Sequence, residues 1–160
     1  MTGWVNILVE AVWVGWAAFG FGVLFNVPKG YLAAVWVGGA MVGLTKFSIL
    51  FCNSSFIILA TFLAALVLGI YSVILAQIRH EPPMIFAIPS VVPLIPGVFA
   101  YRTVYGVIRL GGIAHADFPH LLSETLRNGE LTFLVTLAFL AGIFIPYEAR
   151  EIIFRKANPK

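Results

Sequence analysis

Long apolar stretches separated by short polar breaks dominate the chain, at roughly residues 4–27, 31–52, 56–78, 84–110 and 131–153. A run of about 20 apolar residues matches the ~30 Å hydrocarbon core of a bilayer. The pattern therefore predicts an all-α fold, a polytopic transmembrane helix bundle of about five spans, formed as a single transmembrane domain over residues 1–160. The breaks differ in chemistry. Asn26-Val27-Pro28-Lys29-Gly30 is a turn punctuated by Pro28 and Gly30. Asn53-Ser54-Ser55 is short and polar, and Arg79-His80-Glu81-Pro82-Pro83 ends the cleanest span. The longest polar stretch covers residues 111–130, where Phe118, Leu121, Leu122, Thr125 and Leu126 recur at helical spacing. That spacing predicts a short interfacial helix, followed by a separate last span beginning near Leu131.

The fourth apolar stretch is interrupted by Pro93-Leu94-Ile95-Pro96-Gly97. Broken backbone at membrane depth is tolerated only where it is buried in protein or lines a watery cavity. Many secondary transporters build their substrate sites from such broken helices. A helix restarting at Pro96 or Gly97 presents unpaired N–H groups and the positive end of its dipole, which favour an anionic group such as a carboxylate. Tyr101 and Tyr105 follow on one face, while Arg102, Gly106 and Arg109 share a neighbouring one. The candidate substrate-binding residues are therefore Pro93, Pro96, Gly97, Tyr101 and Arg102. The competing reading is a kinked structural helix whose arginines snorkel to an interface.

Two further charges lie inside apolar stretches. If the first two spans form a hairpin turning at Pro28, Glu10 and Lys46 sit at one depth, each about 18 residues or ~27 Å from the turn. They are candidates for an ion pair or a coupling role, against the alternative of two independent snorkelling charges. Gly38, Gly39 and Gly43 form a small-residue stripe that suits tight internal helix packing more than a dimer interface.

Composition adds class and orientation. The chain is 61% hydrophobic and 11% charged, with a mean hydropathy of +0.98, far from the roughly 25% charged residues of soluble proteins. The net charge of +3 forms no basic stripe, so no nucleic-acid partner is expected. Lys29, Arg79 and the tail residues Arg155, Lys156 and Lys160 fall on one side of a five-span arrangement. The positive-inside rule then places the N-terminus outside and the C-terminus in the cytoplasm, in a cytoplasmic (inner) membrane with lipid around the bundle. A four-span arrangement, with the glycine-rich second segment re-entrant, is the alternative. The N-terminus lacks a basic signal-peptide region, so the first segment is read as a retained span.

Cys52 is the single cysteine and is expected to be a small core residue. His115, Asp117 and His120 have zinc-ligand chemistry, but Pro119 interrupts them and no fourth ligand lies nearby, so no metal site is expected. No phosphate-binding glycine loop, Ser/His/Asp pattern or thiol pair is present, so neither a cofactor nor an enzyme activity is expected.

Two stretches carry a family resemblance: Phe25-Asn26-Val27-Pro28, and Val91-Val92-Pro93-Leu94-Ile95-Pro96-Gly97-Val98-Phe99-Ala100-Tyr101. With the length and span layout, they resemble the YjjB branch of the threonine/serine exporter (ThrE) superfamily over most of the chain. The Pro-x-x-Pro-Gly-x-x-x-Tyr pattern is the more specific, and Lys46 after the glycine-rich segment also fits. The resemblance implies a small transporter subunit working with a YjjP-type membrane partner; in fused members both halves lie on one chain. It implies export of a small-molecule substrate, threonine and serine or a dicarboxylate such as succinate. A homo-oligomer is left open. From a different class, the rival is a structural or assembly subunit that touches no substrate; a channel-like pore ranks last.

Overall fold

In a bilayer every backbone amide needs a partner within the chain, and the computed structural model meets this with helices throughout. It describes residues 2–111 and 118–157. The helices are α1 (Thr2–Leu24), α2 (Leu32–Cys52), α3 (Ile57–Arg79), α4 (Met84–Val91), α5 (Gly97–Leu110) and α6 (Phe118–Ala157), with no strand among the described residues. Four helical segments are long and apolar enough to cross a membrane, at Gly3–Leu24, Lys29–Cys52, Ile57–Arg79 and Phe118–Arg150. Met84–Leu94 and Gly97–Leu110 form one bent pair, which brings the total to five if the pair is a single span. The third span has the highest hydropathy, 2.6, in line with its unbroken apolar sequence.

The chain forms two compact units, divided after Leu94 and again before Ala138. The first holds α1 to α4 and the second half of α6. Its core joins Val42, Ala64, Ala65, Leu68, Ala87, Val91, Leu94, Phe139 and Ile143. Small residues let the helices approach where lipid gives no hydrophobic drive for association. A Cβ at Gly43 would lie 2.8 Å from the Cα of Ala11, and one at Gly142 would lie 2.7 Å from the carbonyl oxygen of Phe62. The glycine stripe of α2 thus serves packing within the chain, as its sequence suggested. The expected α1–α2 register also holds: Gly39 abuts Ala18, and the Trp4 and Phe51 rings lie 6.0 Å apart.

Hydroxyl groups tie the helices of this unit together. Tyr71 donates to the carbonyl of Ala34 at 2.9 Å, and Ser90 donates to the carbonyl of Val35 at 3.0 Å. Ser90 is fully buried. Ser90→Ala is expected to lower stability by about 0.6–1.7 kcal/mol, the average and the maximum for one interhelical hydrogen bond in a membrane protein. Thermal unfolding in detergent measures this, and an unchanged midpoint would show that the bond contributes nothing net.

The second unit holds α5 and the first half of α6. Gly106 packs directly on the Thr125 side chain, and a Cβ at Gly129 would sit 3.4 Å from Thr103. Here the structure corrects the sequence reading: the interfacial helix and the last span are one helix, Phe118–Ala157. The polar residues that looked like a boundary bond to their own helix. Thr125 donates to Leu121, the Asn128 amide to Glu124, Thr132 to Asn128 and Thr136 to Thr132, each to the carbonyl one turn earlier at 2.7–2.9 Å. This i to i−4 pattern satisfies the side chains without ending the helix. Cys52 is also corrected: it ends α2 and is exposed, not a core residue.

Candidate functional site

The break forms where the sequence placed it. α4 runs through Pro89 to Val91, a single 3₁₀ turn covers Val92–Leu94, and α5 begins at Gly97 with Pro96 as its N-cap. Two prolines in four residues supply no N–H, so regular helix cannot continue across them. The Gly97 N–H donates to the carbonyl of Ile95 at 2.8 Å, and the Ala100 N–H to that of Pro96 at 3.0 Å. Pro93 is half-buried and Pro96 buried. Gly97 is exposed, its φ is not positive, and nothing lies within 4 Å of where a Cβ would be. Neither packing nor backbone conformation demands glycine there, and the position faces open space at the start of α5.

Tyr101 and Arg102 lie one turn further and are both exposed. The Tyr101 and Tyr105 rings stack at 6.0 Å, and the Arg109 guanidinium lies 5.7 Å from the centre of the Tyr105 ring. Within the second unit, Arg102, Gly106 and Arg109 of α5 face Glu124, Thr125 and Asn128 of α6 across a groove of about 340 Å³. The face shared by Arg102, Gly106 and Arg109 was legible from their spacing. The α6 side of the groove was not assigned from sequence. Its signal was Glu124, Thr125 and Asn128 falling on one helical face, whereas the interfacial helix was read from the apolar spacing of Phe118, Leu121, Leu122, Thr125 and Leu126.

The first unit contains a different cavity, of about 440 Å³, lined by Phe25, Asn26, Val27 and Pro28 together with Met84, Ile88 and Pro89 of α4. Asn26 turns the chain at φ 57°, a left-handed conformation that asparagine tolerates better than most residues. The Phe25–Pro28 turn thus meets the helix that leads into the break. A third cavity, about 610 Å³, lies at the end of α3 beside His80, Glu81 and Arg150. There the Tyr31 hydroxyl donates to Glu81 at 3.1 Å.

A family model described as "Threonine/Serine exporter, ThrE" matches residues 10–148. The chain belongs to the ThrE family. The match includes both stretches that carried the resemblance, Phe25–Pro28 and the Pro93–Gly97 break. An uncharacterized protein of Haemophilus influenzae is 27% identical over 97% of the chain. The chain spans half the length of that relative. No solved structure matches.

The remaining candidates of this ThrE family member fall away from the break in sequence. Glu10 is exposed on α1 and Lys46 is half-buried on α2. The hairpin register sets them level, yet they form no ion pair among the described residues. Glu10 is the chain neighbour of Ala11, which packs on Gly43 of α2. His115 and Asp117 lie outside the described residues, His120 is exposed, and no metal-binding group occurs among the described residues.

Proposed function

We propose that the chain is a subunit of a secondary transporter that exports small carboxylate-bearing metabolites across the cytoplasmic membrane. The substrates are threonine and serine, or a dicarboxylate such as succinate, and the transporter is completed by a YjjP-type partner. The observation that carries this reading is the break: an apolar helix stops at Leu94 and restarts at Gly97 with open space around it, one turn before an exposed Arg102. A helix start attracts anions through its N–H groups and dipole, and an arginine nearby adds bidentate recognition of a carboxylate. A relative of twice this length supports a machine with a second part. An N-out, C-in subunit next to a partner of opposite orientation would suit an inverted-repeat arrangement.

The test is efflux of preloaded threonine, serine and succinate from cells lacking their own exporters, with this chain expressed alone and with the partner. Efflux only with the partner is the expected result. Absence of efflux for all three, despite membrane insertion of both chains, would favour an assembly subunit. A cysteine scan of positions 97–109 separates the two readings independently. Transport requires positions that are water-accessible and substrate-protected; a scaffold leaves them uniformly inaccessible.

A further inference from the structure

The groove between α5 and the first half of α6 holds charges of both signs that do not neutralise each other. Arg102 and Arg109 line one wall, Glu124 and Asn128 the other. Among the described residues, neither Arg102 nor Glu124 makes an ion pair or a side-chain hydrogen bond, and Arg127, three residues beyond Glu124, does not pair with it. Asn128 is only 8% exposed, and its amide N–H donates to the Glu124 carbonyl at 2.9 Å, which leaves its Oδ1 as an acceptor.

Arg102 and Glu124 are both exposed, so their charged ends are free to meet a ligand. Here a space of about 340 Å³ lies among them, within the roughly 300–1,000 Å³ range of small-molecule sites. A ligand carrying both a carboxylate and an ammonium completes both walls. Its carboxylate takes the Arg102 guanidinium, and its ammonium takes the Glu124 carboxylate with Asn128 Oδ1 as a second acceptor. A dicarboxylate finds guanidinium groups on α5 but a like charge at Glu124, which disfavours it. Resting on the exporter reading above, we infer that Glu124 is the residue that sets the transporter's preference for a zwitterionic α-amino acid over a dicarboxylate.

The experiment compares threonine and succinate efflux from cells expressing the partner with wild type, Glu124→Gln, Glu124→Asp or Arg127→Gln. Glu124→Gln is expected to lower the threonine-to-succinate efflux ratio about tenfold or more, the loss of one charge-assisted contact. Glu124→Asp should recover most of that ratio, and Arg127→Gln should keep it. An unchanged ratio in Glu124→Gln overturns the inference. So does a wild type that exports succinate but not threonine, an outcome that leaves the exporter reading standing. A wild type that exports neither sinks the exporter reading itself. Competition on the purified wild-type complex needs no variant: labelled threonine should be displaced by threonine but not by N-acetylthreonine, which keeps the carboxylate and lacks the ammonium. Equal displacement by both would overturn the assignment of Glu124 even if the variants fail to accumulate.

Discussion

Gly39→Leu is expected to prevent accumulation of folded protein, while Gly20→Leu leaves it unchanged. A Cβ at Gly39 would collide with the Cβ of Ala18 and lie 3.0 Å from the carbonyl oxygen of Val14 and 3.2 Å from the Cα of Gly15. Two of these neighbours are backbone atoms of α1, so no side-chain rotation relieves the clash. Relief would require α1 and α2 to part, breaking the Gly43–Ala11 approach one turn away. Overpacking costs about 1–3 kcal/mol and sometimes more, and leucine adds further carbons beyond the Cβ. A loss of about 3 kcal/mol would be a large share of the 5–15 kcal/mol that holds a typical domain. Around Gly20, by contrast, nothing lies within 4 Å of a Cβ. Fluorescence-detected size exclusion in detergent, with thermal unfolding of the surviving fraction, distinguishes the two. Equal behaviour of both variants would mean that the close α1–α2 contact is not needed for folding.

That contact was readable in sequence for a simple reason: a proline turn fixes which residues of a hairpin are level, and a glycine stripe marks the close face. The same rule gave the depth of Glu10 and Lys46. It could not give their direction around each helix, which depends on what else α1 and α2 bury. Lys46 is turned partly inward and Glu10 outward, so equal depth does not become a pair. The break was legible because proline acts through covalent geometry and needs no tertiary context.

The continuity of α6 was not legible, because Thr, Asn and Gly are read as boundary residues by propensity. Within a helix the same hydroxyl and amide groups turn back onto the preceding turn, and the polar stretch becomes helix. Glu124 was missed as a consequence: its place in the groove depends on the packing of Gly106 against Thr125, which joins residues 19 positions apart in sequence. The cavity shared by the Phe25–Pro28 turn and α4 is of the same kind. Each wall is recognisable alone, and only folding sets them face to face.

Arg102→Gln is expected to reduce export by about 10- to 150-fold at normal membrane levels. A hydrogen bond to a charged group contributes about 1.5–3 kcal/mol, and about 1.4 kcal/mol is a factor of ten. Glutamine keeps polarity but is shorter, and it removes the charge and the two-pronged geometry. Arg102→Lys restores the charge alone and should fall between, because an ammonium cannot offer the planar fork. Arg102 is exposed and makes no ion pair among the described residues, so its loss should not unfold the chain. Pro96→Ala supplies the companion test, since it returns an N–H and a good helix former at the N-cap of α5. If the break shapes the site, it too should lower export while the protein still inserts. Initial efflux rates normalised to membrane abundance measure both. Export that persists at wild-type rate with Arg102→Gln and Pro96→Ala combined would remove the start of α5 from the substrate path and leave the broken helix a purely architectural feature.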